Sequence, residues 1–195
     1  HPETDHFTGL IEVFKRYKVG AFISNGRVGK AKSFGDLAKA VNENGALSEV
    51  LAEGDKIKYA GNNLNILSPS EIMLQSKAVN DTTLVIKLDS QNLKALFTGD
   101  IDSKIEEELA QKYDLDVDVL KVAHHGSKFS ASQKFMEATT PKIALIEVGK
   151  NNYGHPTPQA LNSLASIGAQ IFRTDKDGII KLIAGDSRID IFKKK

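Results

Sequence analysis

The chain has 195 residues, 41% of them hydrophobic, with 26 Lys and Arg against 25 Asp and Glu. This length and apolar content suffice for one substantial core and predict a single domain over residues 1–195. The near-zero net charge excludes a strong overall field that would draw the molecule onto nucleic acid, and the absence of cysteine excludes disulfides and thiolate metal ligands.

Short strands alternate with helices along the whole chain. In the first half we predict a helix over 9–17, a strand over 19–23, a helix from Ser33 to Asn44 ended by Gly45, and strands over 56–59, 63–67, 82–88 and 94–97. In the second half we predict a helix through Ile105 and Tyr113, a strand over 117–122, a helix capped by Ser130, a strand over 143–148, a helix opened by Pro158, and strands over 171–172, 179–183 and 189–192. This order predicts the α/β class, in which sites assemble at strand ends on one edge of a sheet.

All five histidines fall in three short segments, at residues 1–6, 124–127 and 153–156. Imidazole is the commonest protein ligand for transition metals, and the first segment also contains Glu3 and Asp5. The pattern predicts a metal-centred hydrolytic site with nitrogen and oxygen donors.

The first segment supplies four candidate donors, His1, Glu3, Asp5 and His6. Alternate residues of an extended chain face the same way, so residues 1, 3 and 5 can converge while a turn brings in His6. The following helix would present its N-terminal N–H groups, which favour an anion such as a substrate phosphate. A polar surface loop is the alternative, but such a loop needs no pair of histidines around two acids.

The later candidates all follow predicted strands. Asp100 follows a Thr-Gly turn and could be a metal ligand or the N-cap of the next helix. His124 and His125 end an apolar strand; since adjacent strand residues face opposite ways, we expect one to be the ligand and the other to orient it or carry a proton. Either could instead pack in the core. His155 lies in a rigid Gly-His-Pro loop that suits a ligand or a general acid, or it is an ordinary loop histidine.

Two further segments only superficially suggest chemistry. Residues 26–33 have the wrong glycine and serine spacing for a phosphate-binding loop. Their cations, Arg27, Lys30 and Lys32, could touch a phosphate backbone, although an exposed basic loop is the simpler interpretation. Ser127 lacks the turn motif of a nucleophilic serine and is expected to close a turn.

The His-x-Glu-x-Asp-His pattern of residues 1–6 resembles the metal-binding signature His-x-His-x-Asp-His of metallo-β-lactamase-fold hydrolases. Glu3 replaces the middle histidine, and an acid is common there in the ComEC competence-protein branch. Segments 98–100, 120–127, 152–158 and 174–178 resemble that branch's next signatures, in the family's order. The resemblance therefore covers essentially the whole chain.

This resemblance implies a four-layer αβ/βα sandwich with a dinuclear site between its sheets. Its metal ligands would be His1, Glu3, Asp5, His6, Asp100, His124 and His155, with Asp100 bridging the two ions. Asp5, His125 and His155 would handle protons during hydrolysis. The family domain usually begins with two or three further strands, so we expect the natural protein to supply them before residue 1.

The metal is expected to be a hard cation. The family's third-motif histidine is missing, and Asn80-Asp81 lies near its expected place. Replacing imidazole by oxygen donors favours manganese, with zinc as the second candidate.

The resemblance implies cleavage of DNA, in single-stranded form, during uptake through a membrane channel that is not in this sequence. The domain would then lie on the extracytoplasmic face of a bacterial membrane. Near-zero net charge favours an alternative, a stand-alone cytoplasmic hydrolase of a small ester, lactone or phosphodiester. A third hypothesis is a non-catalytic binding module stabilised by metal.

Overall fold

The computed structural model describes residues 1–186 and 188–195. Its helices are α1 (Thr4–Arg16), α2 (Lys32–Asn44), α3 (Ser103–Lys112), α4 (Gln133–Thr139), α5 (Pro158–Ser166) and α6 (Thr174–Asp177). Its strands are β1 (Ala21–Ser24), β2 (Leu47–Val50), β3 (Lys56–Tyr59), β4 (Asn62–Ser68), β5 (Val85–Asp89), β6 (Lys94–Phe97), β7 (Val119–Lys121), β8 (Ile143–Ile146), β9 (Gln170–Arg173), β10 (Ile179–Ala184) and β11 (Ile189–Lys194). Short 3₁₀ turns lie at Met73–Gln75, Asn80–Thr82 and Ala123–Gly126. The predicted α/β class is confirmed.

A seven-stranded sheet in the order β3-β4-β5-β6-β7-β8-β9 organises the fold. The pairs from β3 to β6 are antiparallel, whereas β6, β7, β8 and β9 pair in parallel. Parallel pairing brings the carboxyl ends of β6, β7 and β8 to the same edge of the sheet. The loops that follow these strands carry the predicted site residues.

The central strands are buried on both faces, as parallel strands usually are. Leu96 and Leu120 belong to the main core, which they share with Phe135 of α4 and other residues of α3 and α5. Their strand neighbours Ala95 and Val119 point the other way and pack toward Leu182, Ile189 and Ile191 of the β10–β11 hairpin. Successive apolar residues therefore hold helices on one side of the sheet and a hairpin on the other.

A second core forms between α1, α2 and β1. Phe7 and Phe14 lie two turns apart on α1 and are buried with Leu37 and Val41 of α2. Phe14 also meets the edge of the Phe22 ring, with centroids 5.7 Å apart. This packing fixes the first turn of α1, and with it the histidine-rich segment at the start of the chain.

Besides α1, which begins at Thr4 instead of residue 9, three helices start away from the positions considered in the sequence. Asp102, not Asp100, caps α3 by accepting from the N–H groups of Lys104 and Ile105. Ser132, rather than Ser130, caps α4. Helix α2 starts at Lys32, before Ser33, without a side-chain cap, while Gly45 ends it as predicted. Asp100 is thereby free of the capping role that was its main alternative.

Among the described residues, none of the helices combines the length and the apolar character required to cross a bilayer.

Candidate metal centre

The predicted site residues meet at one edge of the seven-stranded sheet. Asp100 follows β6, His124 and His125 follow β7, and His155 lies in the loop after β8. The backbone joins the first two loops, since the His124 N–H donates to the Gly99 carbonyl over 2.9 Å. The candidate residues that follow these strands therefore lie close together, as the prediction required.

Asp100 lies at the centre of the cluster and is 2% exposed. Its Oδ2 lies 3.1 Å from His6 Nε2, 3.7 Å from His125 Nε2, 3.9 Å from His124 Nε2 and 4.0 Å from His1 Nε2. Burial alone would raise the pKa of Asp100, but the adjacent imidazoles of His6, His125 and His124 lower it below its usual value. The centre of the site is therefore a carboxylate surrounded by imidazole nitrogens.

Two buried atoms at this centre lack a partner. Asp100 Oδ1 and His6 Nε2 have no hydrogen-bond partner among the described residues. Leaving a buried polar atom unpaired costs roughly 1–3 kcal/mol, so folded proteins rarely retain two side by side without a ligand. A divalent cation would satisfy both atoms, and the donor set present here fits one.

The donors fall into two groups that share Asp100. One group is His1, Glu3 and Asp100, and the other is Asp5, His6, Asp100 and His125. Within each group the candidate ligand atoms lie within 4.8 Å of one another. A carboxylate common to two groups is the arrangement required to bridge two cations.

The donors of residues 1–6 come together in a backbone conformation that differs from the prediction. Glu3 has extended backbone angles, φ −93° and ψ 151°, and α1 begins at Thr4. Asp5 and His6 therefore project from the first helical turn, and the expectation of an extended chain through residue 5 is wrong. His1 Nε2 still lies 3.2 Å from Glu3 Oε2, and His6 Nε2 lies 3.6 Å from Asp5 Oδ2.

Both histidines after β7 face the cluster, so the expectation of opposite faces is wrong. Strand β7 ends at Lys121, and His124 and His125 adopt left-handed angles with φ of 48° and 53°. Strand alternation does not apply in that conformation, and each Nε2 lies within 4 Å of Asp100 Oδ2.

The two histidines nevertheless differ in surroundings. His125 belongs to one donor group, whereas His124 lies in neither. His124 instead faces His155, with ring centroids 5.8 Å apart. Burial, followed by the charges of His124 and His125, lowers the pKa of His155.

Two glycines allow the loops after β6 and β7 to pack closely against neighbouring residues. Gly99 has φ +52°, and a Cβ there would lie 2.3 Å from Thr83 Cγ2. Gly126 has φ +79°, and a Cβ there would lie 2.6 Å from Pro156 Cβ, next to His155. Only glycine fits both the backbone angle and the contact at these positions.

Thr83 supports the site although no sequence pattern predicts this role. Its Oγ1 lies 3.0 Å from His1 Nδ1 and fixes the orientation of that ring. Asp81, which lies near the place of the missing family histidine, accepts a hydrogen bond from Ser76 and belongs to neither donor group. Ser127 is buried, and its Oγ accepts from the Phe129 N–H, as expected of a turn residue.

A cleft of about 860 Å³ opens above the cluster. Asp5, Asp100, His124, His125 and His155 line it, together with Asn80, Tyr153 and residues 27–31 of the basic loop. Arg27 and Lys30 thus face the site, whereas Lys32 is the first residue of α2.

Known proteins show strong similarity to the chain, although no protein-family model matches it. It is 32% identical over 184 residues to ComE operon protein 3 of Bacillus subtilis strain 168, an alignment covering 93% of this chain and 23% of that protein. It is 34% identical over 133 residues to competence protein ComA of Neisseria gonorrhoeae, covering 66% of this chain and 19% of that protein. The chain is homologous to a part of ComEC-type competence proteins. Recombination protein 2 of Haemophilus influenzae strain Rd agrees, with 26% identity over 98% of this chain and 22% of that protein.

The homologous part is small relative to the whole proteins, because the chain spans about a fifth of the length of these relatives. Two solved structures share its fold. A putative metal-dependent hydrolase from Parabacteroides distasonis has a TM-score of 0.50 and 12% identity, over 82% of this chain and 78% of that one. CmlA, a diiron beta-hydroxylase from Streptomyces venezuelae, has a TM-score of 0.60 and 9% identity, over 100% of this chain and 44% of that one. The chain has the metallo-β-lactamase fold, as the resemblance implied.

Proposed function

We propose that this ComEC-type domain is a metal-dependent phosphodiesterase that cleaves DNA with two divalent cations. One observation carries the proposal: two donor groups share the buried carboxylate of Asp100, whose Oδ1 has no hydrogen-bond partner in the described part of the chain. DNA as the substrate is what the resemblance to competence proteins implies, and the relatives include a protein named as a competence protein.

The proposed ligands follow the two donor groups. His1, Glu3 and Asp100 would hold one cation, and Asp5, His6, Asp100 and His125 the other. His124 and His155 face each other outside both donor groups. They could orient the ligands by hydrogen bonds or bind a cation as additional ligands. Carboxylates supply three of these donors, which favours manganese, with zinc as the alternative. Such a pair of cations would activate a water molecule and stabilise the attacking and leaving oxygens.

The side chains around the cleft suggest the remaining roles. The Asp5 side chain is 56% exposed and lies 3.2 Å from His125 Nε2, so it can accept a proton and pass it to solvent. His155 lines the same cleft and could protonate the leaving oxygen. Arg27 and Lys30 provide positive charge where a phosphate chain would lie, although the net charge of the chain is only +1.

In a full-length ComEC-type protein, the domain would act on a strand during uptake by a membrane channel, on the extracytoplasmic face. The catalytic test does not require that channel. Purified protein is incubated with single-stranded DNA and manganese, and Asp100→Asn is compared with wild type and with Asp36→Asn, an exposed aspartate of α2 outside the cleft.

We expect wild type and Asp36→Asn to cleave at equal rates and Asp100→Asn to lose at least 100-fold in rate, because the bridging donor is removed. Calorimetric titration should show fewer manganese ions bound to Asp100→Asn. Equal cleavage by all three proteins would refute the proposed site.

The cleft also favours a second candidate, hydrolysis of a small ester, lactone or phosphodiester. Its described lining contains only two lysine or arginine residues, Arg27 and Lys30, which is few for a groove that binds a nucleic-acid backbone. That enzyme would cleave a small-molecule panel but leave DNA intact. A metal-stabilised binding module would gain melting temperature with manganese and cleave neither class.

A further inference from the structure

Tyr153 is an exposed aromatic residue beside the candidate metal centre. It is 84% exposed and lines the same cleft as Asp5 and His125. Its ring centroid lies 5.9 Å from that of His155, with the planes inclined by 33°. A large aromatic surface is thus presented to solvent within reach of the proposed reacting groups.

The loop that carries Tyr153 is held in place by one side chain. Asn151 Oδ1 accepts from the N–H groups of Tyr153 and His155 over 3.1 and 3.0 Å. Asn151 Nδ2 donates to the carbonyls of Gly149 and His155, each over 2.9 Å. Because these bonds fix the backbone, little loop entropy remains to be lost when the ring contacts a ligand.

The basic loop adds cationic groups to the same cleft. Arg27 Nη1 donates to the carbonyls of Leu74 and Ser76, which anchors the guanidinium in the cleft lining. Among the described residues, neither Arg27 nor Lys30 forms an ion pair with a carboxylate. Fixed positive charge is therefore available to an anionic ligand in the cleft.

Together these groups match the alternating chemistry of a nucleotide strand. Proteins that bind single strands combine a positive groove for the phosphates with aromatic rings on which bases stack. A small ester or lactone would not require an exposed flat ring beside two cations.

We infer that Tyr153 stacks on an unpaired nucleobase and thereby makes the cleft selective for single-stranded nucleic acid. The inference rests on the proposed DNA hydrolysis, for which it assigns Tyr153 as the residue that binds a base. Bases within a duplex are already stacked on their neighbours, so only an unpaired base can cover the Tyr153 ring. The phosphodiester next to that base would then lie over the Asp100 cluster.

The test compares a thymidine oligonucleotide with an abasic strand of the same length, which keeps every phosphate but has no base. Binding is measured by fluorescence anisotropy with calcium in place of manganese, and cleavage by steady-state kinetics with manganese. The variants are Tyr153→Ala, Tyr153→Trp and the control Tyr59→Ala, an exposed tyrosine of β3 that does not line the cleft.

We expect Tyr153→Ala to weaken binding of the thymidine strand about 10-fold, the loss of one stacked base, and to leave abasic-strand binding within about 2-fold. KM should rise with kcat little changed, while Tyr153→Trp and Tyr59→Ala keep wild-type affinity. An equal loss on both strands, no loss on either, or failure of wild type to bind the thymidine strand would overturn the inference. If wild type binds as expected but cleaves neither strand, the proposed hydrolysis fails and the stacking role stands.

Discussion

The Nδ1 of His125 lies 2.7 Å from the backbone carbonyl of Glu147. A carbonyl can only accept, so Nδ1 carries the hydrogen, and in the neutral form of the ring the lone pair is on Nε2. That nitrogen faces Asp5 and Asp100, at 3.2 and 3.7 Å. A backbone contact at the end of β8 thus orients His125 as a metal donor.

This geometry predicts different consequences for the two adjacent histidines. His125→Ala should weaken binding of the second manganese ion at least 10-fold, because a donor with a fixed tautomer is lost. His124→Ala should reduce affinity less, because His124 lies outside both donor groups. Calorimetric titration of both variants measures the number and affinity of bound ions. The reverse order of effects would exchange the roles of the two residues.

Gly99 allows the loop after β6 to approach Thr83 closely. Gly99→Ala combines a positive φ of 52° with a Cβ only 2.3 Å from Thr83 Cγ2, so it should lower the free energy of unfolding by about 2–3 kcal/mol. Urea denaturation provides the measurement.

The Thr83→Ser background separates the two causes of this loss, since serine lacks Cγ2 but keeps the hydroxyl that meets His1. In that background the cost of Gly99→Ala should fall to the backbone strain alone, about 1 kcal/mol. An unchanged cost would show that the Thr83 contact is not its cause.

The sequence predicts which residues lie together but not the orientation of each side chain. Asp100, His124 and His155 follow consecutive parallel strands, and apolar runs make such strands visible. The left-handed angles of His124 and His125 depend instead on tertiary contacts, such as the close approach of Gly126 to Pro156. Strand alternation therefore does not extend to His124 and His125, which lie beyond the end of β7.

The start of α1 at Thr4 likewise has no local sequence signal. Glu3 is the N-cap residue but makes no side-chain capping hydrogen bond, so the usual Ser, Thr, Asp or Asn signal is absent. Burial of Phe7 against α2 extends the helix toward the chain start. The supporting role of Thr83 was also invisible, because a hydroxyl beside a strand is ordinary until its partner His1 is in place.

Glu106 predicts a pH dependence of stability that is separate from the metal centre. It is 1% exposed, and its two oxygens accept from the N–H groups of Ala131 and Ser132, each over 2.8 Å. Burial raises its pKa from 4.5 to about 7, although these N–H groups act in the opposite direction. The folded state therefore binds the proton more tightly than the unfolded state.

With a raised pKa in the folded state, the stabilising contribution of Glu106 is complete below about pH 4.5 and is lost as pH rises to about 7. The loss is on the order of 3 kcal/mol. Glu106→Gln should flatten this part of the stability profile, whereas Glu107→Gln, its more exposed neighbour, should not. Urea unfolding between pH 5 and 8 measures the slope. Parallel profiles for Glu106→Gln and wild type would contradict the assignment.

Asn151 should control activity through the loop that it holds rather than through the metals. Its side chain contacts Tyr153, His155 and Gly149 but belongs to neither donor group. Asn151→Ala should lower kcat/KM for single-stranded DNA about 10-fold, since the loop loses four hydrogen bonds that preset His155 and the Tyr153 ring. Manganese affinity should stay near the wild-type value.

Asn152→Ala, the exposed neighbour, is the matched control and should leave kcat/KM unchanged. A parallel loss of manganese binding in Asn151→Ala would instead mean that the loop supports the metal ligands directly, with His155 as the residue that transmits the effect.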